Sequence, residues 1–97
     1  MTFEKIITDG NYHLIDVRQP MELELDGAIN GAVNIPLATV PLKLDEIKEL
    51  QGPKIVFCRS GGRSGQAIQY LTENGVDELF NGGGFMQLQM LLDNYKK

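Results

Sequence analysis

The sequence predicts an α/β fold, one domain over residues 1–97 with a mainly parallel sheet of four or five strands and helices on both faces. Strand-like and helix-like segments alternate along the chain, which implies right-handed crossovers between parallel strands. The segment "KIVFC" (Lys54–Cys58) is an apolar run of the kind found in a strand buried on both faces. The length suffices for one hydrophobic core and is too short for two domains.

The first segments of the chain predict a helix, a strand and a mixed loop. "TFEKIIT" predicts a short helix with Thr2 as its N-cap and Gly10 just past its end. "YHLIDV" (Tyr12–Val17) is rich in apolar and β-branched residues and predicts a strand. "RQPMELELDGAING" predicts a helical turn around Met21–Leu25 and then a loop with several glycines.

The middle of the chain predicts a second strand and a second helix. "AVNI" (Ala32–Ile35) is a short strand. "PLKLDEIKEL" (41–50) predicts a helix, because Pro41 suits a first turn and Gly52 and Pro53 end the segment.

After the strand Lys54–Cys58, the pattern predicts a helix, a strand and a final helix. "RSGQAIQYLTEN" is a helix with Gly75 just past its end, "ELF" (Glu78–Phe80) is a strand, and "FMQLQMLLDNY" is the last helix. The predicted inward faces of the two helices consist of Ala67, Ile68 and Leu71, and of Phe85, Leu88, Leu92 and Tyr95.

The order of these elements gathers polar and glycine residues at one rim. Ligands of parallel sheets bind at the carboxyl ends of the strands. The residues expected there are Asp16, Arg18, Pro36, Cys58 and "NGGG" (Asn81–Gly84), together with Arg59 and Arg63, which complete the set of three arginines in the chain. Because the arginine fork matches oxyanions, the arginines indicate a small anionic ligand.

Composition and charge exclude several classes of function. A net charge of −4 argues against nucleic acid as a general partner. The apolar runs are too short to span a membrane, and the N-terminus lacks the pattern of a signal peptide. One cysteine cannot form an internal disulfide, so we expect a reducing, cytoplasmic setting.

The segment "CRSGGRSG" (58–65) contains that cysteine and is the candidate catalytic loop. A lone cysteine after a strand is often just a small buried apolar side chain, but such a residue needs neither the glycines nor the arginines. Gly61 and Gly62 allow the loop N–H groups to curl around the sulfur. The following helix dipole would lower the pKa of Cys58, and Arg63 would hold an oxyanion beside it.

Four motifs in order resemble those of the rhodanese family, specifically its single-domain thiosulfate sulfurtransferases. They are "LIDVRQPME" (Leu14–Glu22), "GAINGAVNIPL" (Gly27–Leu37), "IVFCRSGGRS" (Ile55–Ser64) and "NGGGF" (Asn81–Phe85). The sequence departs from the family at Ala28, where histidine is usual, and by one extra residue between Pro20 and Gly27. A strand and a longer helix often precede the first motif, and here that segment is shorter. A tryptophan often follows the last motif, and this sequence contains no tryptophan.

The resemblance implies a three-layer rhodanese-like domain and a two-step reaction without metal or organic cofactor. Cys58 would take a sulfur from thiosulfate or a similar small anionic donor, and the resulting persulfide would pass it to cyanide, a thiol or a protein acceptor. The implied substrate-binding residues are Arg59, Ser60, Gly61, Gly62, Arg63 and Ser64. The implied supporting residues are Asp16, Arg18 and Gly83.

Two alternatives remain open at this point. A cysteine phosphatase or arsenate reductase uses a related loop, but phosphatase loops place one more residue between cysteine and arginine than the four found here. A rhodanese-like redox-sensing or sulfur-carrier module would keep the reactive thiol without rapid turnover.

Several other polar residues carry weaker expectations. His13 is expected to be structural, and Asp16 and Arg18 either brace the loop or form a plain salt bridge at the strand end. Glu22 could pair with Arg18. The acidic cluster of Glu22, Glu24 and Asp26 is expected to be a solvated face or to recruit a basic partner.

Overall fold

In the computed structural model, which describes residues 2–95, a four-stranded parallel sheet lies between two layers of helices. Its strands are β1 (His13–Asp16), β2 (Val33–Asn34), β3 (Lys54–Cys58) and β4 (Leu79–Gly84), in the spatial order β2-β1-β3-β4. The helices are α1 (Phe3–Asp9), α2 (Pro20–Asp26), α3 (Leu44–Lys48), α4 (Gly62–Glu73) and α5 (Phe85–Tyr95), with a 3₁₀ helix at Leu37–Lys43. The predicted α/β class and parallel sheet are confirmed.

Alternate residues of the central strand feed two hydrophobic cores. Val56 and Cys58 face a core shared with the 3₁₀ helix, α3 and α4, whereas Ile55 and Phe57 face a core shared with α1 and α5. All five residues of β3 are buried. Because successive side chains of a strand point to opposite faces, this one strand joins both layers. Over residues 2–95, no helix is both long and apolar enough to cross a membrane.

The predicted helix over 41–50 is wrong in its bounds and partly in its type. A 3₁₀ helix begins at Leu37, and the α-helix that follows covers only Leu44–Lys48. The carbonyl of Pro36 accepts both the backbone N–H and the hydroxyl of Thr39, each at 2.8 Å, so the turn starts earlier than predicted. Pro41 lies inside this tighter helix instead of opening an α-helix.

The last strand and the last helix also differ from their predictions. The glycines of "NGGG" belong to β4, which pairs with β3 up to Cys58↔Gly84 across a bulge, and they do not form a loop after the strand. Leu88 and Leu92 are buried as predicted. Tyr95 does not face inward: it is 42% exposed, and its hydroxyl donates to the Glu4 carboxylate at 3.3 Å, which satisfies the phenol at the surface.

Gly82→Ala is expected to destabilise the fold by about 1–3 kcal/mol, because it overpacks the core between β4 and α5. A Cβ at Gly82 would lie 2.8 Å from Ile55 Cγ2 and 3.0 Å from Leu88 Cδ2. Gly62→Ala is the matched control, since a Cβ there meets no atom within 4 Å. Denaturant unfolding of both variants measures the difference in stability. Equal stabilities would contradict the tight packing assigned to Gly82.

Candidate active site

The sulfur of Cys58 lies at the carboxyl end of β3, beneath a short loop that leads directly into α4. The backbone N–H of Gly61 donates to the sulfur at 3.0 Å, and the Ser64 hydroxyl lies 3.5 Å from it. Gly61 caps α4 with a left-handed φ of 98°, a conformation that glycine adopts without strain. The residue Cys58 is only 1% exposed, so a reactant must enter between the loop groups to reach it.

Opposing effects set the pKa of the Cys58 thiol. Burial raises the pKa, but hydrogen bonds from the Ser64 hydroxyl and from the backbone N–H groups of Ser64, Ser60 and Gly61 lower it by a larger amount. The resulting pKa is about 7. A free cysteine has a pKa of about 8.5. The loop therefore holds a much larger fraction of thiolate at neutral pH than an unperturbed thiol would carry.

Ser64 lies under the sulfur and not on the open side of the loop. It is fully buried, like Cys58 itself, so its predicted contact with substrate would have to be made inside the loop. Its hydroxyl is 2.7 Å from Asn81 Oδ1 and 3.0 Å from the Gly61 carbonyl, in addition to the contact with Cys58. The single hydroxyl proton has three acceptors within reach, and a thiolate is the strongest attractor among them.

Asn81 has side-chain contacts at the site that the sequence analysis did not predict. Its amide N–H donates to the Gly61 carbonyl at 3.1 Å, and its Oδ1 accepts the Gly83 N–H at 2.9 Å. Asn81 thus ties β4 to the loop. The available signal was its position directly before the glycines: the sequence analysis placed "NGGG" (Asn81–Gly84) at the rim but gave the Asn81 side chain no role.

Both loop arginines face acidic residues of α2. Arg63 Nη1 lies 3.0 and 3.1 Å from the two carboxylate oxygens of Glu22, and this hydrogen bond holds the pKa of Glu22 below its usual range. Arg59 Nη1 lies 3.9 Å from Asp26 Oδ2. The predicted pairing of Glu22 with Arg18 is wrong, and the acidic cluster is not simply a solvated face.

Arg18 is buried and bound at the strand end. Three of its nitrogens donate to Asp16, its Nη2 also donates to the Gly27 carbonyl at 2.9 Å, and its guanidinium carbon lies 3.9 Å from the centroid of the Phe85 ring. Its side chain is 0% exposed, so the expectation that all three arginines serve an anionic ligand is wrong for Arg18. Among residues 2–95, its contacts lead to Gly27 and Phe85, not to the cysteine loop.

The glycines of β4 lie against this loop. A Cβ on Gly61 would be 3.5 Å from Gly83 Cα, and a Cβ on Gly84 would be 2.6 Å from the Arg59 carbonyl oxygen. Gly83 itself has a left-handed φ of 76°. Close approach of two backbones explains the glycines at this rim.

His13, which the sequence analysis expected to be structural, is remote from the sulfur. Its Nε2 lies 2.9 Å from the Gln51 carbonyl oxygen.

Ser64→Ala is expected to move the alkylation of Cys58 to higher pH. The thiolate is the nucleophile, so the iodoacetamide rate of the wild type should rise through a midpoint near the pKa of about 7. Loss of a hydrogen bond to a charged group, at about 1.5–3 kcal/mol, should raise that midpoint by about 1–2 pH units. Ser60→Ala is the control, because Ser60 contributes only its backbone N–H. An unchanged midpoint for Ser64→Ala would contradict the assigned hydrogen bond.

Comparison with known proteins identifies the family to which this chain belongs. The model of the rhodanese-like domain family matches residues 2–90. The uncharacterized protein YqhL of Bacillus subtilis is 45% identical over 73 residues, which cover 74% of this chain and 56% of YqhL. The thiosulfate sulfurtransferase PspE of Escherichia coli is 36% identical over 86 residues, covering 80% of this chain and 75% of PspE.

A solved structure described as a rhodanese with anions from E. coli superimposes with a TM-score of 0.69 at 34% identity, covering 78% of this chain and 89% of that one. The chain spans 56% of the length of YqhL and 62% of that of a sulfurtransferase of Allochromatium vinosum. Since the family match runs through every strand of the sheet and through the whole cysteine loop, this chain belongs to the rhodanese family.

Proposed function

We propose that this chain is a sulfurtransferase that moves a sulfane sulfur from thiosulfate, or a similar anionic donor, to a thiophilic acceptor through a persulfide on Cys58. The observation that carries the proposal is the thiol itself: its sulfur accepts the Gly61 N–H at 3.0 Å, and its pKa is about 7. The thiolate is the form that attacks a sulfur donor. The proposal includes a reducing, cytoplasmic setting for this single cysteine.

The first step loads the enzyme. The Cys58 thiolate attacks the outer sulfur of thiosulfate, a bond forms between the two sulfurs, and the bond to the sulfonate sulfur breaks. The electron pair of the broken bond leaves with sulfite, and the persulfide keeps one negative charge. Backbone N–H groups of the loop, which already face the sulfur, would stabilise that charge as an oxyanion hole does.

The second step unloads it. Cyanide or a thiolate attacks the terminal sulfur of the persulfide, the sulfur–sulfur bond breaks, and its electron pair returns to Cys58 as thiolate. Because the enzyme holds the sulfur covalently between two half-reactions, the kinetics should be ping-pong. No step requires an added oxidant or reductant.

Arg63 is the group best placed to bind the donor's sulfonate. Arg63 lies after Cys58 in the chain, in the first turn of α4, and its side chain is 31% exposed. Of its two terminal nitrogens, only Nη1 contacts Glu22. Arg59, at 68% exposure, would attract the donor more weakly. We assign the exposed Ser60 and Gly62 to the mouth through which the donor enters.

Similarity supports the choice of donor. PspE, at 36% identity, is named a thiosulfate sulfurtransferase, and the E. coli rhodanese structure at 34% identity is described as holding anions. The four residues between Cys58 and Arg63 favour sulfur transfer over phosphatase chemistry, whose loops are one residue longer.

Intact-mass measurement tests the proposal directly. After incubation with thiosulfate, the wild type should gain the mass of one sulfur atom, about 32 Da, and cyanide should remove it. Cys58→Ala should gain nothing, which makes it the control for sulfur bound elsewhere. Wild-type protein that gains no sulfur from thiosulfate would refute this donor, and sulfur that survives in Cys58→Ala would refute the assigned nucleophile.

A further inference from the structure

We propose that an apolar groove beside the cysteine loop docks the sulfur-accepting partner, and that this partner is a basic protein segment with an accessible cysteine next to apolar side chains. The inference rests on the proposed function, because it names the acceptor for the second half-reaction. The groove lies between α2 and α5, and its principal apolar residues are Leu25, Phe85, Met86 and Met90.

The groove consists of two adjoining depressions. One, of about 450 Å³, is bordered by Leu25 and Arg59, and the other, of about 330 Å³, extends to Met90; they share Phe85 and Met86. Leu25 is 76% exposed, Met86 67% and Met90 68%. Exposed large apolar side chains grouped in this way mark interaction sites more often than scattered ones do, and methionine adapts to varied partners.

The groove is continuous with the reactive loop. Arg59 follows Cys58 directly and also lines the groove, and Phe85, which lines both depressions, follows the last β4 glycine. A cysteine on a segment lying in this groove would therefore be held beside the loop mouth. Holding it there replaces a bimolecular collision with a local encounter, which matters for a thiol that is only 1% exposed.

The charges around the groove select a basic segment. All charged residues of α2 and α5 are acidic: Glu22, Glu24, Asp26 and Asp93. The charged residues that line the groove itself, Asp26 and Arg59, face each other at 3.9 Å. The remaining exposed charges of the two helices are negative: Glu24 on α2, and Asp93, which accepts the amide N–H of the groove residue Gln89 at 3.0 Å. Complementary charge speeds encounter and suppresses binding of wrong partners. An acidic acceptor would be repelled, and the chain as a whole carries −4.

The transfer itself is balanced. The partner's thiolate attacks the terminal sulfur of the anionic Cys58 persulfide, and a new sulfur–sulfur bond forms on the partner. The Cys58–sulfur bond breaks, its electron pair returns to Cys58 as thiolate, and the partner leaves as an anionic persulfide. Enzyme and partner each carry one negative charge at the reacting sulfur before and after the transfer, and no further reactant is consumed.

Matched peptides test the docking surface. Two peptides of equal length, each with one cysteine beside leucine residues, carry either lysines or glutamates, and each is supplied to thiosulfate-loaded wild-type enzyme. Transfer rates are divided by the rate of the same peptide with a small disulfide, which removes differences in thiol reactivity. We expect the basic peptide to be at least tenfold faster, and the advantage to shrink at high salt.

Two variants of the groove test whether it docks the peptide. Leu25→Ser and Met90→Ser should each slow transfer to the basic peptide by about tenfold, a loss of ~1.4 kcal/mol. They should leave thiosulfate-to-cyanide transfer unchanged. Leu42→Ser is the control, because Leu42 is 82% exposed in the 3₁₀ helix and does not border the groove.

The outcomes separate the two proposals. Equal rates for both peptides, or wild-type transfer by the groove variants, would overturn the docking surface while leaving the sulfurtransferase intact. Absence of thiosulfate-to-cyanide transfer by the wild type would instead overturn the proposed function. If sedimentation shows a wild-type dimer that Met90→Ser dissociates, the groove is a contact between copies of this chain, and the docking proposal fails.

Discussion

Asp16→Ala is expected to lower the free energy of unfolding by about 3–5 kcal/mol, because it leaves the Arg18 guanidinium buried without its counter-charge. The two side chains are 1% and 0% exposed, and Arg18 donates to Asp16 from its backbone N–H, Nε and Nη2. Within residues 2–95 its Nη1 has no partner even in the intact protein. For a small domain with a total stability of about 5–15 kcal/mol, this loss is large.

The Arg63–Glu22 pair supplies a matched control for that prediction. It joins the same types of group at 3.0 Å, but its side chains are 31% and 26% exposed, so Glu22→Ala should cost about 0.2–1 kcal/mol. Urea unfolding measures both losses. If Asp16→Ala does not fold, the double variant Asp16→Ala, Arg18→Met should recover much of the stability, because it removes the stranded charge. Equal costs for Asp16→Ala and Glu22→Ala would contradict the role of burial.

Much of the fold could be predicted because local patterns and global packing agree in this chain. The predicted strand Lys54–Cys58 has the bounds of β3, and its residues 55–58 form an uninterrupted apolar run. The caps of α1 follow from Thr2, whose hydroxyl accepts the Lys5 N–H, and from Gly10. The 3₁₀ helix could not be predicted in this way. Its start depends on both Thr39 bonds to one proline carbonyl, a detail that periodicity does not encode.

At the site, the order of residues predicted which elements meet at one rim. It did not predict which side chains pair with each other there. Arg18, Arg59 and Arg63 look alike in the sequence, yet one is buried against Phe85 and two face α2. Which carboxylate each arginine meets depends on where α2 lies over the sheet edge. Burial of Ser64 depends likewise on its contacts with Cys58, Gly61 and Asn81, which the motif alone does not determine.

Arg63→Ala is expected to lower kcat/KM for thiosulfate by about 10²–10³-fold, the usual effect of removing one donor that stabilises developing negative charge. The groups that set the pKa of Cys58 are Ser64, Ser60 and Gly61, and Arg63 is not among them. Alkylation of the variant by neutral iodoacetamide should therefore stay within about twofold of the wild type. Equal losses in both reactions would mean that Arg63 acts on the thiol and not on the donor.

The expected decrease in kcat/KM has a second contribution from Glu22, because Arg63→Ala also frees the Glu22 carboxylate at the mouth of the loop. A freed negative charge would itself repel thiosulfate, so part of the decrease would not come from a lost contact. The double variant Arg63→Ala, Glu22→Gln separates the two effects. Recovery of only a small part of the activity would assign the loss to the guanidinium, whereas full recovery would assign it to repulsion by Glu22.

Arg59→Ala removes the more exposed arginine of the loop. It should lower kcat/KM for thiosulfate by no more than about tenfold, because the charge of Arg59 is better screened by solvent.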